Sequence, residues 1–123
     1  MPKILFIEDD PALQETLGGF LRQQGYTVLS ALEGRSGLEF ARREHPDLIL
    51  QDLILPGRTG LEIFEALRSE PDLARIPVIV LTNVESSQSV QRAVELGAAA
   101  YLVKTSYSLE EVGQKIRAVL GQE

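Results

Sequence analysis

Apolar residues gather into five short runs along this chain, at residues 3 to 7, 26 to 30, 47 to 51, 77 to 82 and 99 to 103, and recur at helical spacing in between. Runs such as Val78-Ile79-Val80-Leu81 and Leu48-Ile49-Leu50 show no polar alternation, as a parallel strand covered on both faces by helices requires. Tyr26-Thr27-Val28-Leu29-Ser30 is more mixed and suits a sheet edge. Leu13, Leu17, Phe20 and Leu21 stand at i, i+4, i+7 and i+8 and predict one buried helical stripe, which Gly25 can end in a left-handed conformation. Gly18 and Gly19 lie inside that helix at about 1 kcal/mol each against alanine, so tertiary packing must hold it.

Thr59 with Glu62 and Ser108 with Glu111 have capping-box spacing, and Asp10 before Pro11 reads as a helix cap. Leu61, Phe64 and Leu67 form the apolar face of the third helix. Leu109, Val112, Ile116, Val119 and Leu120 form that of the last, whereas the second, around Leu38 and Ala41, is the least marked. The fourth is expected at about 85 to 96, ending at Gly97, with Val90, Ala93, Val94 and Leu96 mostly in the core. Strand alternating with helix predicts an α/β, doubly wound parallel sheet, because right-handed crossovers place successive helices on both faces.

In such sheets, sites lie beyond the carboxyl ends of the strands. The polar residues expected there are Glu8, Asp9, Asp10, Asp52, Thr82 and Lys104. Asp52 ends a buried strand and precedes the loop Leu53-Ile54-Leu55-Pro56-Gly57, which presents its carboxylate at the rim as a nucleophile. Three or four carboxylates on one edge repel each other unless a hard divalent cation neutralises them or a base such as Lys104 reaches in.

Composition narrows the field. The 123 residues, 44% hydrophobic and 24% charged, suit one domain, taken as residues 1–123. With no cysteine, disulfides, thiolate metal sites and cysteine nucleophiles are excluded, and a cytoplasmic location is expected. Met1-Pro2-Lys3 leads into an apolar run too short for a signal-peptide core, and no run is long enough to span a membrane. The net charge of −6 and the lack of a Lys/Arg cluster argue against direct nucleic-acid binding, so the expected partner is protein. His45 reads as a surface residue, and Arg42, Arg43 and Glu44 as a solvated helix end.

In order and spacing, Ile4-Leu5-Phe6-Ile7-Glu8-Asp9, Pro46-Asp47-Leu48-Ile49-Leu50-Gln51-Asp52, Leu55-Pro56-Gly57, Pro77-Val78-Ile79-Val80-Leu81-Thr82 and Gly97-Ala98-Ala99-Ala100-Tyr101-Leu102-Val103-Lys104 resemble the receiver domain of two-component response regulators. The resemblance implies a flavodoxin-like sheet of five parallel strands in the order 2-1-3-4-5 with five helices. It implies that Asp52 accepts a phosphoryl group from a sensor histidine kinase or phosphotransfer protein, the domain catalysing its own phosphorylation and autodephosphorylation. Mg2+ is the implied cofactor, with Asp9 and Asp52 as direct ligands, Glu8 as a ligand through water and the Ile54 carbonyl as the backbone ligand. Lys104 is expected to pair with Asp52 and then with the phosphoryl group, and Thr82 to donate its hydroxyl to that group. Tyr101 is expected to turn inward with Thr82, altering the affinity of the face made by the fourth helix, fifth strand and fifth helix for a downstream protein. A monomer or a phosphorylation-dependent dimer fits this picture. Kinase pairing is assigned to surface side chains of the first helix, with Gln14, Leu17 and Gly18 as candidates.

Three departures from the family pattern carry expectations of their own. Thr105 follows Lys104 where proline after a cis bond is usual, and a cis bond before threonine costs about 3 to 4 kcal/mol, so a trans bond or rearranged loop is expected. Asn83, where a small residue is usual, is expected to restrict the inward path of Tyr101. Ile54 and Val84 are apolar where polar residues can help position water, which predicts slow autodephosphorylation. Among rivals, a haloacid-dehalogenase-type phosphatase lacks its second acid, since Ile54 stands there. A flavin site is opposed by the charge of Glu8-Asp9-Asp10, and Gly57-Arg58-Thr59-Gly60 lacks the P-loop ending. The remaining alternative is a phosphorylation-independent receiver-like module for protein binding or dimerisation.

Overall fold

A computed structural model describes residues 1–57 and 59–122, Arg58 and Glu123 lying outside the described residues. Each apolar run forms a strand: β1 (Lys3–Ile7), β2 (Thr27–Ala31), β3 (Leu48–Gln51), β4 (Val78–Thr82) and β5 (Ala100–Val103). All pair in parallel, in the order β2-β1-β3-β4-β5, which puts the mixed strand β2 at an edge as its composition predicts. The connecting helices are α1 (Pro11–Gln23), α2 (Gly34–Glu44), α3 (Gly60–Ser69), α4 (Ser87–Glu95) and α5 (Leu109–Val119). No helix of the described residues is long and apolar enough to cross a membrane.

The uninterrupted hydrophobicity of the central strands is explained by two cores. Leu5, Ile7, Ile49, Val78 and Val80 point to the side covered by α2, α3 and α4, where they meet Leu38, Phe64 and Ala93. Ile4, Phe6, Leu48, Leu50 and Ile79 point the other way, onto Leu17 and Leu21 of α1 and Val112 and Ile116 of α5. Strands whose side chains alternate between two dry faces are apolar along their length, and in β3 and β4 polar residues enter only at the carboxyl ends, as Gln51 and Thr82. Gly34 and Gly37 let α2 settle onto its neighbours, since a Cβ at either would collide with Ile63 or Ile7.

Local chemistry fixes the helix ends. Gly25, at φ +100°, follows α1, with the Tyr26 amide donating to the Leu21 carbonyl and the Gly25 amide to that of Arg22; this is the Schellman arrangement. Asp10 caps α1 by accepting from the Ala12 amide, with Pro11 as the first helical residue, and both expected capping boxes are present. His45 is exposed and ends α2 in a left-handed conformation. On the face that α2 shares, Arg68 of α3 donates to the carbonyls of Leu96 (2.7 Å) and Ile76 (3.0 Å), fastening the carboxyl end of α4.

Two expectations need correction. Helix α4 lies close to the expected bounds, with Gly97 at φ +81° after its cap, but of Val90, Ala93, Val94 and Leu96 only Ala93 is fully buried, and Val94 is 66% exposed. A helix over the sheet's end needs little more than one small residue in contact, and its remaining apolar side chains lie at its margin. Arg42, in addition, is exposed but not merely solvated, since it makes a two-pronged ion pair with Glu70, 2.7 Å at its closest.

Candidate functional site

Strands β1 and β3 are neighbours with Ile7 opposite Gln51, so the residues that follow, Glu8 with Asp9 and Asp52, leave the sheet side by side. Carboxylate oxygens of Glu8, Asp9 and Asp52 lie within 4.8 Å of one another. Asp52 is 4% exposed; its Oδ1 accepts from the Ile54 amide at 3.1 Å and its Oδ2 from Lys104 Nζ at 2.7 Å. Glu8 is more deeply set, at 1% exposure, with Oε2 accepting from the Asp10 amide at 3.0 Å and Oε1 2.6 Å from Lys104 Nζ. The Glu8–Lys104 contact is close as an ion pair but lacks hydrogen-bond directionality at Oε1. Lys104 therefore neutralises part of the charge that the paired strands concentrate.

The charge states follow from this packing. Burial pushes the Glu8 carboxyl up; the Lys104 ammonium and Asp10 amide pull it back without reversing the effect, while Asp52 adds to the rise. For Lys104, burial lowers the value, but the contacts with the Asp52 and Glu8 carboxylates outweigh it and hold the ammonium above its ordinary value. Lys104 thus stays cationic, and an added cation at the exposed Asp9 would relieve Glu8 further. Three carboxylates without a nitrogen or sulfur donor form a hard oxygen set suited to Mg2+.

Lys104 opens a single 3-10 turn, Lys104–Ser106, and no peptide bond of the described residues is cis. The expected trans bond before Thr105 is present, and the turn still delivers Nζ to both acids. Thr82, at the end of β4, is fully buried, and its Oγ1 accepts a long 3.4 Å bond from the Val84 amide. Tyr101 is half-buried, its hydroxyl donating to the Val84 carbonyl at 2.6 Å. Asn83 is exposed, so it does not bar this position as expected. Burial, with the charges of Asp52 and Glu85, raises the Tyr101 phenol above its ordinary value.

Another expectation fails. Gln14, Leu17 and Gly18 are all buried on the sheet side of α1, so they cannot meet a partner. The signal was in the sequence: Leu17 belongs to the helix's own apolar stripe, and Gln14 and Gly18, at i−3 and i+1 from it, flank that stripe. What pattern reading does not reveal is polar burial. Gln51, fully buried, donates from Nε2 to the Gly60 carbonyl at 2.9 Å, tying the start of α3 to β3. Gly60 permits this approach, as a Cβ there would strike the Asp52 carbonyl and Leu53 Cα. The Ile54 carbonyl stands in the loop so fastened.

These features define a doubly wound α/β domain with an acid pocket closed by a lysine at the carboxyl ends of β1, β3 and β5. The family model described as the response regulator receiver domain matches residues 4–117, and the chain belongs to that family. It is 38% identical over 120 residues to the DNA-binding dual master transcriptional regulator RpaA of Synechocystis sp., covering 98% of this chain and 49% of that protein. The chain spans about half the length of the curated relatives it matches. Among solved structures, the chemotaxis response regulator CheY4 of Vibrio cholerae superposes with a TM-score of 0.89 at 28% identity, over 97% of this chain and 98% of that one. The BeF3-activated N-terminal receiver domain of Klebsiella pneumoniae RstA gives 0.85 at 31%, over 98% and 99%. Receiver domains bind Mg2+ at such an acidic pocket and interact with histidine kinases or phosphotransfer partners.

Proposed function

We propose that residues 1–123 act as one receiver domain in which Asp52 is the phosphoacceptor. The observation that carries this is the 2.7 Å contact of Lys104 Nζ with Asp52 Oδ2 beside carboxylate oxygens of Glu8 and Asp9. In the reaction an Asp52 oxygen attacks the phosphorus of a phosphohistidine, the O–P bond forming as the P–N bond breaks and the imidazole leaves. An anion attacking an anion needs alignment and charge neutralisation more than proton transfer. Asp9 and Asp52, with Glu8 through water and the Ile54 carbonyl as backbone ligand, would hold Mg2+, which would supply that neutralisation. Lys104 contributes a second cation, pairing with Asp52 before transfer and with a phosphoryl oxygen after it.

The donor is a sensor histidine kinase or phosphotransfer protein, acting in the cytoplasm. Thr82 then donates its hydroxyl to the phosphoryl group, and through Val84 and Tyr101 the change reaches the face of α4, β5 and α5, where a downstream protein binds. On this reading phosphorylation shifts that face between conformations that differ in affinity for the downstream protein. The protein is a monomer, or a dimer formed on phosphorylation.

Incubation with acetyl phosphate and Mg2+, read by intact mass, tests this. A gain of one phosphoryl group in the wild type and none in Asp52→Asn is expected. No gain in the wild type at any donor concentration would leave the phosphorylation-independent binding module in its place.

A further inference from the structure

Gln14 has a task that neither its place on α1 nor the acid pocket by itself announces. It is 6% exposed, and its Nε2 donates to three carbonyls: Phe6 at 2.9 Å, Glu8 at 3.1 Å and Ala31 at 3.1 Å. Its backbone amide donates at 3.0 Å to the carbonyl of Asp10. The side chain thus holds the carbonyl just before Asp9, while the amide bond to Asp10 belongs to the first turn of α1 and forms with any residue that keeps its N–H at position 14. The amide has one workable orientation, because turning it over would set Oε1 against three carbonyl oxygens.

Gln14 Oε1 is buried, with no hydrogen-bond partner among the described residues. An apolar side chain of this shape would leave no such acceptor. The donors, by contrast, fix where the chain turns as it leaves β1. Ala31 accepts from both Gln14 Nε2 and the Glu8 amide, the latter at 2.9 Å, so the end of β1 is fastened to the end of β2. The Asp10 amide bonds Glu8, and the Asp10 side chain caps α1. Asp9 thus stands between Glu8, bonded at both its carbonyl and its carboxylate, and the capping residue Asp10, with its own side chain exposed, the condition for a pre-organised ligand.

We propose that Gln14 is a positioning residue for Mg2+: by holding the carbonyls of Phe6, Glu8 and Ala31 where the chain leaves β1, its side chain sets the direction in which Asp9 presents its carboxylate. This rests on the reading of Glu8, Asp9 and Asp52 as the magnesium site. Groups that orient metal ligands from behind alter metal affinity by roughly 10- to 100-fold when removed.

Calorimetric titration with MgCl2 of the wild type, Gln14→Met, Leu17→Ala and Asp9→Asn is the test. Gln14→Met is expected to raise the Kd for Mg2+ at least about tenfold, whereas Leu17→Ala, which damages the same helix without touching those carbonyls, lowers Tm and leaves the Kd within twofold. A Gln14→Met Kd within twofold of wild type overturns the proposal whatever its Tm. Should the wild type bind no Mg2+, or Asp9→Asn bind it equally well, the underlying site reading falls instead. If Gln14→Met does not fold, the wild type serves alone: the Gln14 side-chain NH2 signals in a 15N-labelled sample are expected to exchange slowly with water and to shift on adding Mg2+, and signals indifferent to the ion overturn the proposal.

Discussion

Glu8 Oε1 and Lys104 Nζ stand 2.6 Å apart beneath the rim of the sheet, and the carboxylate of that pair is almost wholly out of water. Burial nevertheless dominates at Glu8 and holds its carboxyl above the ordinary value of 4.5. A native value raised above the unfolded one means that the native state binds this proton more tightly. The resulting stability is fully present below about pH 4.5 and lost as pH rises through the native value. Glu8→Gln lacks that loss. Without divalent cations, the Tm of Glu8→Gln minus that of the wild type is expected to grow more positive from pH 4.5 towards neutrality, followed by circular dichroism. A difference independent of pH would contradict the assignment. Lys104 adds nothing within this range, because its raised value makes its contribution decline only above its ordinary 10.5.

The Tyr101 hydroxyl, donating at 2.6 Å to the Val84 carbonyl, ties β5 to the loop between β4 and α4. Tyr101→Phe keeps the ring and removes the donor, so about 1 kcal/mol of stability is expected to go. The opening is local. Amide hydrogen exchange should quicken over residues 83 to 86 while the centres of β1 and β3 keep their protection. Unchanged exchange in the loop would show that the bond does not hold it.

Much of this architecture was legible because the forces that fix it act on sequence-local patterns. Unbroken apolar runs such as Leu48 to Leu50 have no soluble alternative to double-sided cover, and Asp10 with Pro11 can hardly be other than a helix start. The acid pocket was legible for a related reason: parallel pairing with Ile7 opposite Gln51 obliges the acids after each strand to meet. The uses of Gln14 and Gln51 were not. Their partners are backbone carbonyls brought near by tertiary packing, and any residue can offer a carbonyl, so no side-chain pattern marks them. Helix α4 misled for the opposite reason, since its apolar residues outnumber those the sheet has room to cover.

Gly19 offers a gain in stability without a contact. It lies in the middle of α1, and a Cβ there would meet nothing within 4 Å. Alanine then recovers the helix-interior preference of about 1 kcal/mol, raising Tm by roughly 4 °C for a domain of this size. Gly113 of α5 is the contrast, because its Cβ would lie 3.1 Å from Cε2 of Phe20. Gly113→Ala has the same backbone advantage and is expected to lose it to that contact. Thermal melts of the two variants decide the matter, and equal gains would mean that the packing between α1 and α5 is looser than the structure has it.

Ile54 is 61% exposed two residues beyond Asp52, and Val84 occupies the matching place after Thr82. Hydrolysis of an aspartyl phosphate needs a water held in line with the bond that breaks, and neither side chain can donate or accept a hydrogen bond. The Ile54 amide, for its part, is already engaged with Asp52 Oδ1 at 3.1 Å. On the phosphoacceptor reading, the phosphorylated protein is therefore expected to persist for minutes or longer in Mg2+. Ile54→Asn restores a polar side chain at that point, and one well-placed hydrogen bond to the attacking water, worth about 1.4 kcal/mol in the transition state, shortens the lifetime about tenfold. Loss of the phosphoryl group with time, read by intact mass after removal of the donor, measures both. A wild-type half-life of seconds, or an Ile54→Asn variant that decays no faster, would show that water is positioned by another group.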